Sequence, residues 1–320
     1  MKFSRLSINI KQQAMALGFD AVGITDSKIL EESRQDLGRY LEEGRQGCMS
    51  WLIETAEHRT NPKAFFPETR SIVMVALNYF RKGEKSILPA GYGTVSFYAR
   101  GRDYHKVLRK KLKRLYEWIC NEEPACQGRI FVDSFPIMEK PLAMRAGLGW
   151  IGKNTTLLIK GKGSYFFLGG ILLNIKLDPD LPNFEQFCGS CHKCQVACPT
   201  GALDAPFQLD SRKCISYLTI EHHGNINYRL QKNMKNLIFG CDICQIVCPW
   251  NQKFATTCEE KDFKSRFKQN ELFLKRLAII SREQYEKMFQ GTAVRRCGYN
   301  KFLRNVRIAQ ANERKEPSIE

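Results

Sequence analysis

The sequence predicts an α+β catalytic unit over residues 1–180, an iron–sulfur unit over 181–255, and a helical basic segment over 256–320. Three observations carry that prediction. Short apolar runs and amphipathic stretches alternate without a regular βαβ repeat before residue 180, which favours α+β over a doubly wound sheet. Two cysteine arrays follow, and a Lys/Arg-rich stretch closes the chain.

The elements follow in order. Residues 7–17 and 31–43 carry helical spacing of apolar residues, with an Ala21–Ile24 strand between them. Ser71–Leu77 is a continuous apolar run, which predicts a strand buried on both faces. From Asp103 onward, Leu108, Leu112, Leu115 and Ile119 fall on one face of a basic helix. Arg129–Val132 reads as a strand ending at Asp133, and Met138–Ala146 as a helix. Residues 155–159 and 165–174 are expected to form a hairpin around Lys160–Gly163. Asp178–Pro182 reads as a linker, and Ser281 as the N-cap of a helix in the tail.

Cys188, Cys191, Cys194 and Cys198-Pro199 form a C-x2-C-x2-C-x3-C-P run, the spacing of bacterial ferredoxins. Cys241, Cys244 and Cys248-Pro249 repeat its latter part, and Cys214 can supply the missing thiolate. Eight ligands suffice for two [4Fe–4S] clusters. If the fourth cysteine crosses over as in ferredoxins, Cys188, Cys191, Cys194 and Cys248 hold one cluster. Cys198, Cys214, Cys241 and Cys244 then hold the other. Zinc sites want four ligands in other spacings, and a disulfide framework needs an oxidising compartment. Cys48, Cys120, Cys126, Cys258 and Cys297 read as idle or buried thiols.

Fifty Lys/Arg against 33 Asp/Glu give a formal charge of +17, which points to a polyanionic partner. The excess is concentrated in residues 261–315 and in Arg100–Arg114. Several phosphate contacts acting together are rewarded by counterion release. No run is long enough to span a membrane, and no signal-peptide core opens the chain, so a cytoplasmic protein is expected. Gly147, Gly149 and Gly152 satisfy G-x-G-x-x-G, but a helix precedes them and no acidic residue follows at the right distance. Close backbone packing is therefore expected in place of dinucleotide binding.

Three strings carry a resemblance: Tyr98–Leu108 (YARGRDYHKVL), Val132–Lys140 (VDSFPIMEK) with Ala143–Thr155, and Gly291–Tyr299 (GTAVRRCGY). Together with the cysteine arrays they resemble the epoxyqueuosine reductases over nearly the whole chain. That resemblance implies a nitroreductase-like domain holding cobalamin beside two [4Fe–4S] clusters. It also implies reduction of epoxyqueuosine to queuosine at the wobble position of tRNA. Asp133 would be the proton donor, with its pKa expected to rise by burial. Arg59, Phe97, Tyr104, His105, Asp133, Lys153, Asn154 and Thr155 would lie against cobalamin, and Phe97 stands where other members can carry cysteine. Ser216, Tyr217, Thr219, Arg295, Arg296, Lys301, Arg304 and Arg307 would meet tRNA. The partners expected are tRNA and an electron donor, with the chain as a monomer. A small-molecule reductase of the reductive-dehalogenase type and a bare electron-carrier module are the competing readings.

Overall fold

The structure is a computed structural model and describes residues 2–313; residues 314–320, the end of the basic stretch, lie outside the described residues. Its centre is a four-stranded antiparallel sheet of β1 (Ala21–Asp26), β2 (Ser71–Asn78), β3 (Gly128–Phe131) and β4 (Phe166–Leu173), in the order β1-β2-β4-β3. Every residue of β2 is buried, as its unbroken apolar run predicts. Alternate side chains serve opposite faces. Val73, Val75 and Leu77 enter one core, whereas Ile72, Met74 and Ala76 enter the other.

The first face is covered by α1 (Lys2–Ala16) and α3 (Tyr104–Glu122), with α2 (Glu31–Glu42) lying between them in sequence. Asp103 caps α3 by accepting from the His105 amide, and Leu108, Leu112, Leu115 and Ile119 are fully buried. The second face is covered by α4 (Glu139–Arg145) and the 148–159 segment.

Two sequence expectations change here. Leu157–Leu158 pairs with Trp150–Ile151, while β4 pairs with β2 and β3, so the expected 155–174 hairpin does not form. β4 finds longer partners in the sheet than a two-residue strand could offer. The 178–182 segment is also no loose linker. The Asp180 carboxylate accepts from Lys11 at 2.6 Å and from the Ile24 amide at 2.8 Å, pinning it to the β1 edge.

Gly149 meets its expectation. A Cβ there would stand 1.9 Å from the Leu158 carbonyl oxygen, so glycine is what lets the two short strands approach.

The cysteine-rich segment ends in α5 (Pro249–Phe254), and α6 (Gly298–Glu313) closes the described chain. Ser281 does cap the preceding helix, in a capping box with Gln284. Phe289, Val294, Phe302 and Val306 share one core with Val75 and Leu108. The basic segment is thus built into the catalytic unit's own core. No helix among the described residues is long and apolar enough to cross a membrane.

Candidate active site

Asp133 sits just beyond β3 with φ +40°, a backbone conformation that costs a non-glycine residue free energy. The turn is held because the Asp133 amide donates to Glu139 Oε1 at 2.6 Å. Its carboxylate gathers three donors on one oxygen. Tyr104 Oη lies at 2.7 Å, His105 Nε2 at 2.9 Å and Arg296 Nη1 at 3.0 Å. Tyr104 and His105 come from the first turn of α3, stacked on each other, and Tyr104 stacks in turn on Phe167 of β4. His105 Nδ1 lies 2.7 Å from the Asp103 carboxylate.

These contacts reverse one expectation. Burial does oppose ionisation of Asp133, but hydrogen bonds from His105 and Tyr104 outweigh it. With the charges of His105 and Arg296, they hold its pKa well below the usual carboxylate range. Burial would lower the His105 pKa, yet its bonds to Asp103 and Asp133 raise it. Glu139 behaves oppositely to Asp133: burial, followed by the Asp133 charge, pushes it up to about 8. Near neutral pH Glu139 is therefore largely protonated, and His105 holds its proton more tightly than a free imidazole does.

Lys140 is drawn below the ordinary lysine range by burial, against the pull of Glu139, Cys244 and Asp133. Its ammonium donates to the Thr155 carbonyl at 2.8 Å, and Thr155 is itself left-handed at φ +60°. The side chains of Asp133 and Lys140 stay exposed although they lie deep in the chain, so they face an opening. Arg59 also feels the Asp133 charge, and its Nε donates to Thr55.

The thiols fall into two groups. Cys188, Cys191, Cys194 and Cys248 line a single cavity of about 160 Å³ with Lys153, Asn154, Phe187 and Trp250. Cys214 and Cys241 lie near each other and near both Cys198 and Cys244, and burial followed by the adjoining thiols pushes Cys244 well up. Crossover of the fourth cysteine would give one cluster to each group. Among the described residues no His, Cys, Asp or Glu group is close enough for a single ion. A cluster needs no such convergence, because its own irons occupy the space between the thiolates.

Several expected contacts are corrected. Lys153 donates to the carbonyls of Gly189 (2.6 Å) and Cys191 (3.0 Å), so it braces a cysteine loop. Asn154 accepts from Thr156 and borders the same cavity. Phe97 is 4 % exposed in the core, under the Arg100 guanidinium, and is not free to meet a corrin. Thr219 is fully buried, its hydroxyl bonded to the Ile215 carbonyl and the Gly240 amide. Tyr217 is buried against Cys48. Neither can touch RNA from those positions. Arg304 donates to the carbonyls of Leu218, His222 and Gly224, so much of its fork holds that loop. Lys301 donates to the Ile220 carbonyl. Lys301, Arg304 and Arg307 nevertheless border an open cavity of about 520 Å³ with Asn225 and Gln231. Ser216 is half-buried, and Arg295 stands 3.9 Å from Glu286.

Sequence reasoning gave no role to Glu139 or Lys140, and placed Arg296 on RNA alone. The signal for Glu139 was its position six residues past Asp133, across a proline-bearing loop that can double back.

The chain matches the family described as epoxyqueuosine reductase QueG, DUF1730, over residues 59–134. It also matches a 4Fe-4S double cluster binding domain over residues 187–251. It is 42% identical over 315 residues to the epoxyqueuosine reductase of Escherichia coli K12, covering 98% of this chain and 82% of that one. The chain belongs to the epoxyqueuosine reductase family. The Vibrio cholerae epoxyqueuosine reductase is 40% identical, with 100% of this chain and 86% of that one covered. Among solved structures, an epoxyqueuosine reductase with an epoxyqueuosine-modified tRNA-Tyr stem loop superimposes with TM-score 0.89. It shares 29% identity and covers 98% of this chain and 82% of that one. A Bacillus subtilis epoxyqueuosine reductase whose catalytic aspartate loop is swung out of the active site gives TM-score 0.87 at 29% identity, covering 98% and 82% of the two chains.

Glu139 offers a test in the protein without cofactors. A folded-state pKa raised from 4.5 to about 8 gives stability that is full at low pH. That stability is lost as pH rises through this window, since the unfolded chain ionises first. Glu139→Gln keeps an acceptor for the Asp133 amide and cannot ionise. Between about pH 5 and about pH 8.5, the wild-type melting temperature should fall by a few degrees relative to the variant. A gap that does not change with pH would refute the protonated carboxyl.

Proposed function

We infer that the protein reduces the epoxide of epoxyqueuosine, in the wobble position of tRNA, to the cyclopentene of queuosine. Electrons come through two [4Fe–4S] clusters, and cobalamin is the proposed site of their use. The observation that carries this reading is the Asp133 cluster, which joins Tyr104, His105, Glu139 and Arg296 at an opening bordered by Lys140. Lys140 is also influenced by Cys244 and Cys214, so the inner thiol set lies behind the same opening. Family membership supplies the substrate.

The residues at this opening fit cobalamin in chemical character. The Lys140 ammonium and the Asp133 carboxylate are exposed there, and Asp133 and Thr155 both have left-handed backbone. Arg59, Lys140 and Thr155 would hold the cofactor there, in a nitroreductase-like α+β unit. When bound, its low-valent cobalt supplies a nucleophile or single-electron reductant for the strained ring carbon.

The protein's own groups manage protons. Epoxide, two electrons and two protons give alkene and water. Asp133 faces the epoxide oxygen and passes it the proton that His105 holds; Glu139 carries the second. In the free protein the hydrogen bonds from His105 and Tyr104, with the charges of His105 and Arg296, keep Asp133 ionised. A tRNA phosphate that draws Arg296 away would remove one of these and raise the Asp133 pKa, easing its use as an acid when substrate is present. Arg295 and Arg307 would join that phosphate contact. A monomeric state, a cytoplasmic location and a division at residues 180 and 255 into functional segments that share one core belong to the same proposal.

The test is anaerobic reconstitution with iron, sulfide and cobalamin, followed by turnover with a strong reductant. Nucleoside analysis of the tRNA should show queuosine replacing epoxyqueuosine. A fully loaded protein that leaves the epoxide intact would overturn the reading.

A further inference from the structure

The two thiol sets differ in their access to solvent. Cys214 and Cys244 lie deep behind Lys140, on the active-site side. The cavity of Cys188, Cys191, Cys194 and Cys248 is walled instead by the 187–194 loop and by α5, both of which reach the surface.

That surface combines apolar and basic side chains. Phe184 is 62 % exposed and Val196 76 % exposed, on either side of the first three cysteines of the run. Single exposed apolar side chains are common on protein surfaces, and these two flank the loop that carries the outer thiols. Lys193 shares a helix with Val196, and Lys160 and Lys253 lie over aromatic residues that wall the thiol cavity or pack on its wall; all three lysines are exposed. Lys160 lies over the ring of Phe187, which lines the cavity, and Lys253 belongs to α5. Among the described residues none of the three is in an ion pair, so their charge is open to a partner. Glu185 is the acidic residue of the same loop.

We propose that this face docks an acidic one-electron carrier protein, which reduces the outer cluster. Each encounter moves one electron from the carrier's reduced centre to the [4Fe–4S] cluster, and two encounters supply one epoxide reduction. A small apolar centre with a basic rim suits a brief complex: the charges speed encounter, and the modest area lets the oxidised carrier leave. The proposal rests on the cluster reading above.

The experiment uses the reconstituted full chain and reduced flavodoxin as the acidic probe, with cluster bleaching followed by stopped flow without tRNA. The triple variant Lys160→Glu, Lys193→Glu, Lys253→Glu should be reduced at least roughly tenfold more slowly, and the fall in rate with added salt should vanish. Reduction by dithionite, and dithionite-driven turnover of tRNA, should be unchanged. Equal rates with flavodoxin would overturn the docking face, as would an equal loss with dithionite. Because cluster reduction is read without substrate, a failure of epoxide reduction is scored separately.

Discussion

Asp133→Asn should lower turnover roughly a hundredfold to ten-thousandfold, the usual worth of a positioned general acid. The fold should tolerate the change. Asparagine is among the few residues at ease in left-handed backbone, which Asp133 occupies at φ +40°. Its amide oxygen can still accept from Tyr104 and Arg296, the donors that now hold the carboxylate. The amide to Glu139 is untouched. What is removed is the ability to relay a proton, together with the charge that faces His105 and Arg296. Melting temperature and tRNA affinity should therefore match wild type while single-turnover rates fall. Undiminished rates would remove Asp133 from the reaction, and His105 would then be the group that meets the epoxide.

The second large effect concerns the inner thiols. Cys244→Ser should leave about four irons per chain instead of about eight, with turnover at background, because electrons then stop at the outer cluster. Cys244 neighbours Cys241 and Cys214, and burial makes all three reluctant to ionise without a metal. Iron binding is thus coupled to local folding, and chelation should destabilise the 214–248 region. Cys258→Ser is the control. Its thiol is buried and donates to the Glu260 carbonyl, away from both sets, so iron content should stay unchanged. Full iron in Cys244→Ser would mean that the ligand sets are drawn wrongly.

Much of this was legible in the residues. The cysteine spacing reports a local loop wrapped around a cube, so it survives without knowledge of the rest. The β2 run and the α3 face are likewise local patterns with one packing solution. What the sequence hid is non-local. Arg296 lies 163 positions from Asp133 yet bonds to it, and no spacing rule reaches that far. The Asp133 pKa was misjudged because burial was visible in prospect and the three donors were not. Thr219 and Arg304 look free in a list of polar residues, but their donors and acceptors are consumed by backbone groups of neighbouring segments. The 155–174 hairpin failed for a similar reason: β4 satisfies its edges with strands far away in the chain.

The shared core of the sheet and the closing helices bears on how the protein could have been assembled. Phe302 and Val306 fill the same interior as Val75 and Leu108. A chain cut after residue 255 would expose that interior on both pieces. The segment proposed to grip RNA is consequently not a portable attachment that could be swapped to redirect the chemistry toward another substrate. If that segment binds RNA, binding and reaction share one interior, and a change of specificity must come by altering side chains in place.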